Sequence, residues 1–393
     1  MIVVDIRNFF MIRNVQIIEI GDDCIYYAEE KIEEGHNNLF LLEYNRTTGR
    51  ERVVTNYSLE DPTFVQHLYP FERSILLVLE NGGSGVFVIQ IDKKTGEEMV
   101  RKKLHCIGKF SGLKALDDCH VLVYTVESEE FSSVFKDYKE LTGSSQIVTL
   151  YDLLGNTNYI IKNSLLCRLP MENIHLYQKN GQPQALLLDP YGTEALKERC
   201  YRESRWINID IRDNVWSYPL ESLIADIKNE EKKIHFHPVL SAGIEGMVRF
   251  IGSDKSHLYF RAASFEENRE NVCSFSKSSG KIEVVAELPG LSAPKIESYF
   301  IASNPFQVYK IKVLPEAISI QGVVRSKLSI KYDKAFGELV GCIEDRFIIC
   351  QKTVVDSTDC YDYQYLTIYD SVLHTEESFE CKCAIAKDTV ILY

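Results

Sequence analysis

The chain has 393 residues, 45% of them apolar, and 44 Lys and Arg against 57 Asp and Glu give it a formal charge of −13. That length and apolar content suffice for a large core, while the acidic balance argues against a general nucleic-acid or anionic-membrane surface. No run of about 18 apolar residues exists, so no transmembrane helix is expected. Eleven cysteines, an odd number scattered singly, exclude a fully paired disulfide framework. Met1-Ile2-Val3-Val4-Asp5-Ile6-Arg7 has no basic cluster ahead of an apolar run, which does not fit a secretion signal and predicts a reducing, cytoplasmic setting.

In chain order, the first clear unit runs from Val15 to Thr55. Val15-Gln16-Ile17-Ile18-Glu19-Ile20 is followed by a Gly21-Asp22-Asp23 turn and by Cys24-Ile25-Tyr26-Tyr27-Ala28. After a polar loop come Leu39-Phe40-Leu41-Leu42-Glu43-Tyr44, the turn Asn45-Arg46-Thr47-Thr48-Gly49, and Glu51-Arg52-Val53-Val54. β-Branched and aromatic runs punctuated by Gly, Asn and Asp predict four strands, A to D. The second strand of the unit recurs from residues near 24, 74, 119, 184, 257, 306, 346 and 389, a period of roughly 40–50 residues stretched where extra sequence falls. The C–D turn recurs as Asp92-Lys93-Lys94-Thr95-Gly96 and Lys277-Ser278-Ser279-Gly280, where Gly supplies the positive φ of a tight hairpin.

A four-stranded unit at this period predicts a β-propeller, all-β and a single domain over residues 1–393. The C-terminus supplies only an A-like strand (Lys382 to Ile385) and a B-like strand (Thr389 to Tyr393). Ile2 to Ile6 and Phe9 to Ile12 supply the missing C and D strands, so a blade shared between the termini would close the ring and remove free edges. The count is eight blades; seven stays open because the unit around 290–331 is faint. The turns resemble those of the β-propeller repeat superfamily, the Thr-Gly pairs being similar to PQQ-type and YVTN-type repeats. The WD40 signature is absent: Trp206 and Trp216 are the only tryptophans, and neither adjoins the expected Asp. The resemblance implies a fold and no particular chemistry.

In a meander the A–B and C–D turns share one rim, and B–C loops with D-to-A connections share the other. Insertions at 127–143, 189–204 and 219–243 are expected on that second rim, as one working face. In the first, Phe131, Val134, Phe135, Tyr138 and Leu141 form an apolar helical stripe with Ser128 as N-cap. Thr193–Cys200 and Glu221–Lys232 predict two more short helices. Arg199, Tyr201, Arg202, Arg205 and Trp206 form a basic, aromatic cluster suited to a carboxylate or phosphate, unless Glu194, Glu198 and Glu203 neutralise it. Phe131 and Tyr138 are apolar contact candidates, although such stripes more often pack an insertion onto its scaffold.

His235 and His237 lie two apart without further ligands of zinc spacing, so no metal site is expected; they remain polar candidates on the same face. Cys381 and Cys383 fit strand packing. Asn81-Gly82-Gly83-Ser84-Gly85-Val86 lacks a P-loop lysine and fits a tight hairpin. Asp356, Asp359 and Asp362 miss calcium-loop spacing, and Glu29, Glu30, Glu33, Glu34 and His36 suggest an acidic loop. No catalytic or cofactor motif stands out. The sequence therefore points first to a non-catalytic module binding a protein partner through its insertion-bearing face. The alternatives are a hydrolase or lyase at the mouth of the central channel, and a sensor of a small anionic ligand.

Overall fold

Ser74–Asn81 shows why the strands are apolar without alternation: six of its eight residues are buried. Ile75, Leu77 and Leu79 pack with Tyr26, Leu39 and Leu41 of the preceding unit, whereas Leu76 and Val78 pack with Leu113, Val121 and Val123 of the following one. Successive side chains point to opposite faces of a strand, so a sheet sandwiched between two others has no solvent face to mark. Each fully buried Leu or Ile contributes about 1.5–3 kcal/mol.

The computed structural model describes residues 1–6, 14–21, 23–33, 36–59, 63–81, 85–163, 165–189, 214–231, 234, 236–240, 246–264, 268–289, 297–303, 306–355, 362–386 and 388–393. Seven sheets of four antiparallel strands follow one another along the chain, and an eighth joins its two ends. The molecule is an eight-bladed β-propeller. The faint unit is a full blade, from Glu297–Ser303 to Ser329–Asp333. Inner A strands of neighbouring blades touch, as Asn14–Ile20 does Thr63–Pro70, while outer strands such as Glu98–Lys103 lie mostly in solvent.

The ring closes as expected in place but not in direction. Ile2–Asp5 pairs with Thr389–Leu392, Ile2 opposite Thr389 and Asp5 opposite Leu392, and the pairing is parallel. A strand leading into blade one must run in the sense of a D strand, and B and D strands of a meander run the same way. Seated directly beside the B strand, it can only pair parallel. The closing sheet therefore has three strands among the described residues, not the expected four; the proposed strand Phe9 to Ile12 lies outside them.

Five C–D turns share one geometry. Asn45, Asp92, Asp152, Ser276 and Asp370 each accept from backbone N–H groups two or three residues on with a side-chain oxygen, as Asn45 Oδ1 does from Thr48 at 2.8 Å and Asp92 Oδ1 from Thr95 at 2.8 Å. Four residues after each lies a left-handed residue: Gly49, Gly96, Asn156, Gly280 and His374, with φ from 53° to 73°.

Among the described residues, two helices depart from the strand plan. α1, Ser132–Thr142, fills the B–C connection of blade three and buries Phe135 and Tyr138. Ser128 precedes a 3-10 turn without a side-chain cap, and Val134 and Leu141 face outward at 40% and 61% exposure. α2, Leu220–Lys228, follows strand C of blade four, Val215–Pro219, and precedes strand D, His237–Leu240. It thus leaves the C–D side, the rim opposite to α1. Lys228 confirms the placement by reaching Asp152 and His120 at the turn ends of blade three. The expectation that 127–143 and 219–243 share a face is incorrect, because 219–243 interrupts a blade instead of linking two; 190–204 lies outside the described residues. Among the described residues, no helix is long and apolar enough to cross a membrane.

Candidate functional site

Inner strands of a propeller have one edge without a strand partner, whose N–H and C=O groups need other satisfaction. Here side chains of one blade serve the next. Gln16 Oε1 accepts from Val65 N–H at 2.7 Å, His67 Nε2 accepts from Leu113 N–H at 3.3 Å, and the Tyr69 hydroxyl donates to the Leu113 carbonyl at 2.5 Å. A bulge makes this reach possible. The register slips between Val15 and Ile17, Val65 and His67, and Phe110 and Gly112, turning the strand locally. Three residues beyond each bulged position stand Glu19, Tyr69 and Lys114, at one level of three adjacent blades.

Around Lys114 the axis gathers ionisable groups: Glu19 and His67 from blades one and two, Glu172 from the 3-10 turn Met171–Asn173, and His175 from Ile174–Lys179. Lys114, His67 and His175 are half-buried, while Glu19 and Glu172 keep contact with solvent. Burial pulls the Lys114 ammonium below its ordinary range, an effect that Glu19 and Glu172 partly offset. Burial pushes the Glu19 carboxyl up, with Lys114 opposing it. Both imidazoles are lowered by burial and then by the Lys114 charge, His175 to about 4, so both are neutral at pH 7.

The two histidines differ in what they have to spend. His67 Nε2 is committed to Leu113. His175 stacks on Phe250 with ring centroids 3.8 Å apart, and its Nε2 is buried without a hydrogen-bond partner. Gly112 lets Met171 pack close to the inner strand: a Cβ there would come within 2.6 Å of Met171 Sδ. The arrangement offers a cation, a carboxyl of raised affinity for its proton and a neutral imidazole with a free nitrogen. A bound anion would reverse the shifts on Lys114 and His175 by favouring their protonated forms.

Among the described residues, none of those singled out from the sequence belongs to this cluster. Arg199, Tyr201, Arg202, Arg205, Trp206 and His235 lie outside the described residues. Tyr138 is buried, its hydroxyl donating to the Ile161 carbonyl at 2.7 Å, and Phe131 packs beside it; both act as packing. His237 is exposed on the outer strand of blade four. The expected acidic loop is a strand pair, Cys24–Glu33 with His36–Asn45, and Glu29 is 1% exposed with Lys31 nearby. Cys381 and Cys383 pack into the core of the closing blade.

Among the described residues, Asp117, Asp118 and Cys119 bring possible metal-ligand atoms within 4.8 Å of one another. Their atoms are engaged in the turn itself: Asp117 Oδ1 accepts from Cys119 and His120 N–H, and Cys119 Sγ donates to Asp118. What the sequence missed were Glu19, His67, Lys114, Glu172 and His175. The available signal was charge inside inner-strand runs, as in Gly112-Leu113-Lys114-Ala115.

No protein-family model matches the chain, and no curated protein matches it. Among solved structures it is similar to an uncharacterized protein from Listeria monocytogenes EGD-e, with 9% identity, 96% of each chain covered and a TM-score of 0.46. It is also similar to the Pyrococcus horikoshii acylaminoacyl peptidase, with 10% identity, 94% of this chain and 52% of that one covered, and a TM-score of 0.42. A third is an oligogalacturonate lyase in complex with manganese, with 12% identity, 90% and 89% coverage, and a TM-score of 0.41. The chain spans about half the length of the peptidase. These likenesses concern fold.

The expectation of a non-catalytic module working through one insertion-bearing face is corrected by the geometry: that single face does not form, since α1 and α2 depart from opposite rims.

Proposed function

We propose that the chain is an enzyme, a hydrolase or lyase acting on an anionic substrate at the propeller axis. The observation that carries this reading is the His175 imidazole, neutral, fixed by Phe250 and with its buried Nε2 unengaged, beside Lys114. Lys114 would hold the substrate's anion. That anion would raise His175 from about 4 toward neutrality, where an imidazole exchanges protons efficiently. Glu19, whose charge interacts with Lys114, would be the second acid–base group of the site. His67 positions the adjoining strand through Leu113.

The test is an activity screen of the full chain on esters, aminoacyl anilides and uronate oligomers, followed by Lys114→Met and His175→Phe. Each variant is expected to lose about 10²-fold or more in kcat/KM, with melting temperature within a few degrees of wild type. Turnover unchanged in both variants would refute the assignment, as would the absence of turnover on all three classes.

A further inference from the structure

Away from the axis, a cleft of about 390 Å³ opens between blades four and five on the rim of the A–B and C–D turns. Its walls are Tyr177 and Lys179 from the inner strand Ile174–Lys179, Gln184 from Gln182–Leu188, Ser217 from Val215–Pro219, His237 from the outer strand, and the turn at Gly280. We infer that this cleft binds a small hydroxylated organic anion, a carboxylate or phosphate ester of about sugar size.

Charge is the first argument. In a chain with 57 acidic residues, no carboxylate among the described residues lines the cleft, while Lys179 does. Among the described residues the Lys179 ammonium has no ion pair or hydrogen bond, nor does the His237 ring. Lys179 is half-buried at the end of its strand, and Asn180, Gln182, Gln184 and Ser217 around it are neutral hydrogen-bonding groups. Gly280, at φ +72°, carries no side chain to cover the ammonium: a Cβ would stand 3.3 Å from Lys179 Nζ. α2 begins at Leu220, directly after the lining residue Pro219, and the positive end of its dipole adds to the local potential. The exposed Glu221 in its first turn is not among the lining residues.

The second argument is polar capacity. Gln184 is 7% exposed, and its amide nitrogen donates only to the carbonyl of the preceding Pro183, at 3.2 Å. Its Oε1 has no partner among the described residues and is not one of the fully buried unpaired atoms, so it is open to the cleft. The Tyr177 and Ser217 hydroxyls bond each other at 2.7 Å, which leaves further acceptor capacity on each. Tyr177 meets Phe275 edge-on at 5.5 Å to form a rigid floor. A cation at one side, hydroxyl and amide groups along the base and an aromatic floor suit a ligand with one anionic end and several hydroxyls.

Titration calorimetry of the full chain with gluconate, glucose 6-phosphate and glucose tests this. At least one anion should bind with a Kd below about 1 mM, and glucose at least about tenfold more weakly. Gluconate and glucose 6-phosphate separate the two anion sources. Lys179→Met should weaken the anion about tenfold or more while Lys179→Arg retains it, with melting temperatures unchanged. Lys114→Met should leave this binding intact, so the result is separable from the axial assignment. Saturable binding by neither anion would overturn the inference, as would binding lost in Lys114→Met but kept in Lys179→Met.

Discussion

Arg46, in the C–D turn of blade one, places a guanidinium nitrogen 2.6 Å from the carboxylate of Asp388 in the A–B turn of blade eight. The same nitrogen donates to the Thr389 hydroxyl. With its side chain 9% exposed, Arg46 bonds the first full blade to the closing one, across 342 positions of sequence. Arg46→Leu removes those charge-assisted bonds and keeps much of the apolar stem. Urea unfolding should show a loss of about 1–3 kcal/mol, whereas a change near zero would leave closure to the parallel strand pair alone.

The left-handed turn residues give a graded expectation. Gly96 has φ +73°, and a Cβ there would lie 2.0 Å from the Val54 carbonyl oxygen of the neighbouring blade. Gly181 has φ +80° with nothing within 4 Å. Gly181→Ala should therefore cost only the left-handed penalty, about 1–2 kcal/mol. Gly96→Ala adds a backbone collision and should cost clearly more. Equal losses in chemical denaturation would show that the blade-one contact is not tight.

Turn chemistry explains what could be read in the sequence and what could not. Gly49, Gly96 and Gly280 announce their turns by name, but the same position is filled by Asn156 and His374 elsewhere, and those turns are silent to a search for Gly. α2 lies on the rim opposite to the expected one because strand C of blade four ends at Pro219 and its D strand resumes only at His237; a hairpin connection of that length is uncommon. The axial cluster was hidden for another reason. Lys114 and His175 are single residues in ordinary strand runs, and only bulges and ring closure bring Glu19, His67, Lys114 and His175 to one place.

Lys228 tests how α2 is held. Its ammonium donates to Asp152 Oδ2 at 2.7 Å and to His120 Nε2 at 2.9 Å, while His120 Nδ1 lies 3.0 Å from Asp117. A proton on Nδ1 satisfies both contacts. Lys228→Met should lower stability by about 1 kcal/mol and speed amide exchange within Leu220–Lys228. Leu223→Ala, at a site 1% exposed, should cost about 2–5 kcal/mol. If instead Lys228→Met changes exchange nowhere in the helix, apolar packing alone holds it.

Stability should fall with acidification in a window set by His175. Unfolded, its imidazole has the ordinary value of 6.5; folded, burial and then the Lys114 charge lower it to about 4. Between those values the unfolded chain takes up a proton that the folded chain refuses, so stability is present above pH 6.5 and drains away toward pH 4. His67 is shifted the same way. Glu19 opposes them, because a carboxyl pushed up by burial binds its proton more tightly in the fold. His175→Phe preserves the stack on Phe250 and removes the titration. Unfolding free energies at pH 7.5 and pH 5 should differ by about 1–2 kcal/mol less in the variant than in wild type, allowing for the half-buried setting. An identical pH dependence in both proteins would mean that His175 takes up its proton in the fold as readily as in the unfolded chain, and that Lys114 does not restrain it.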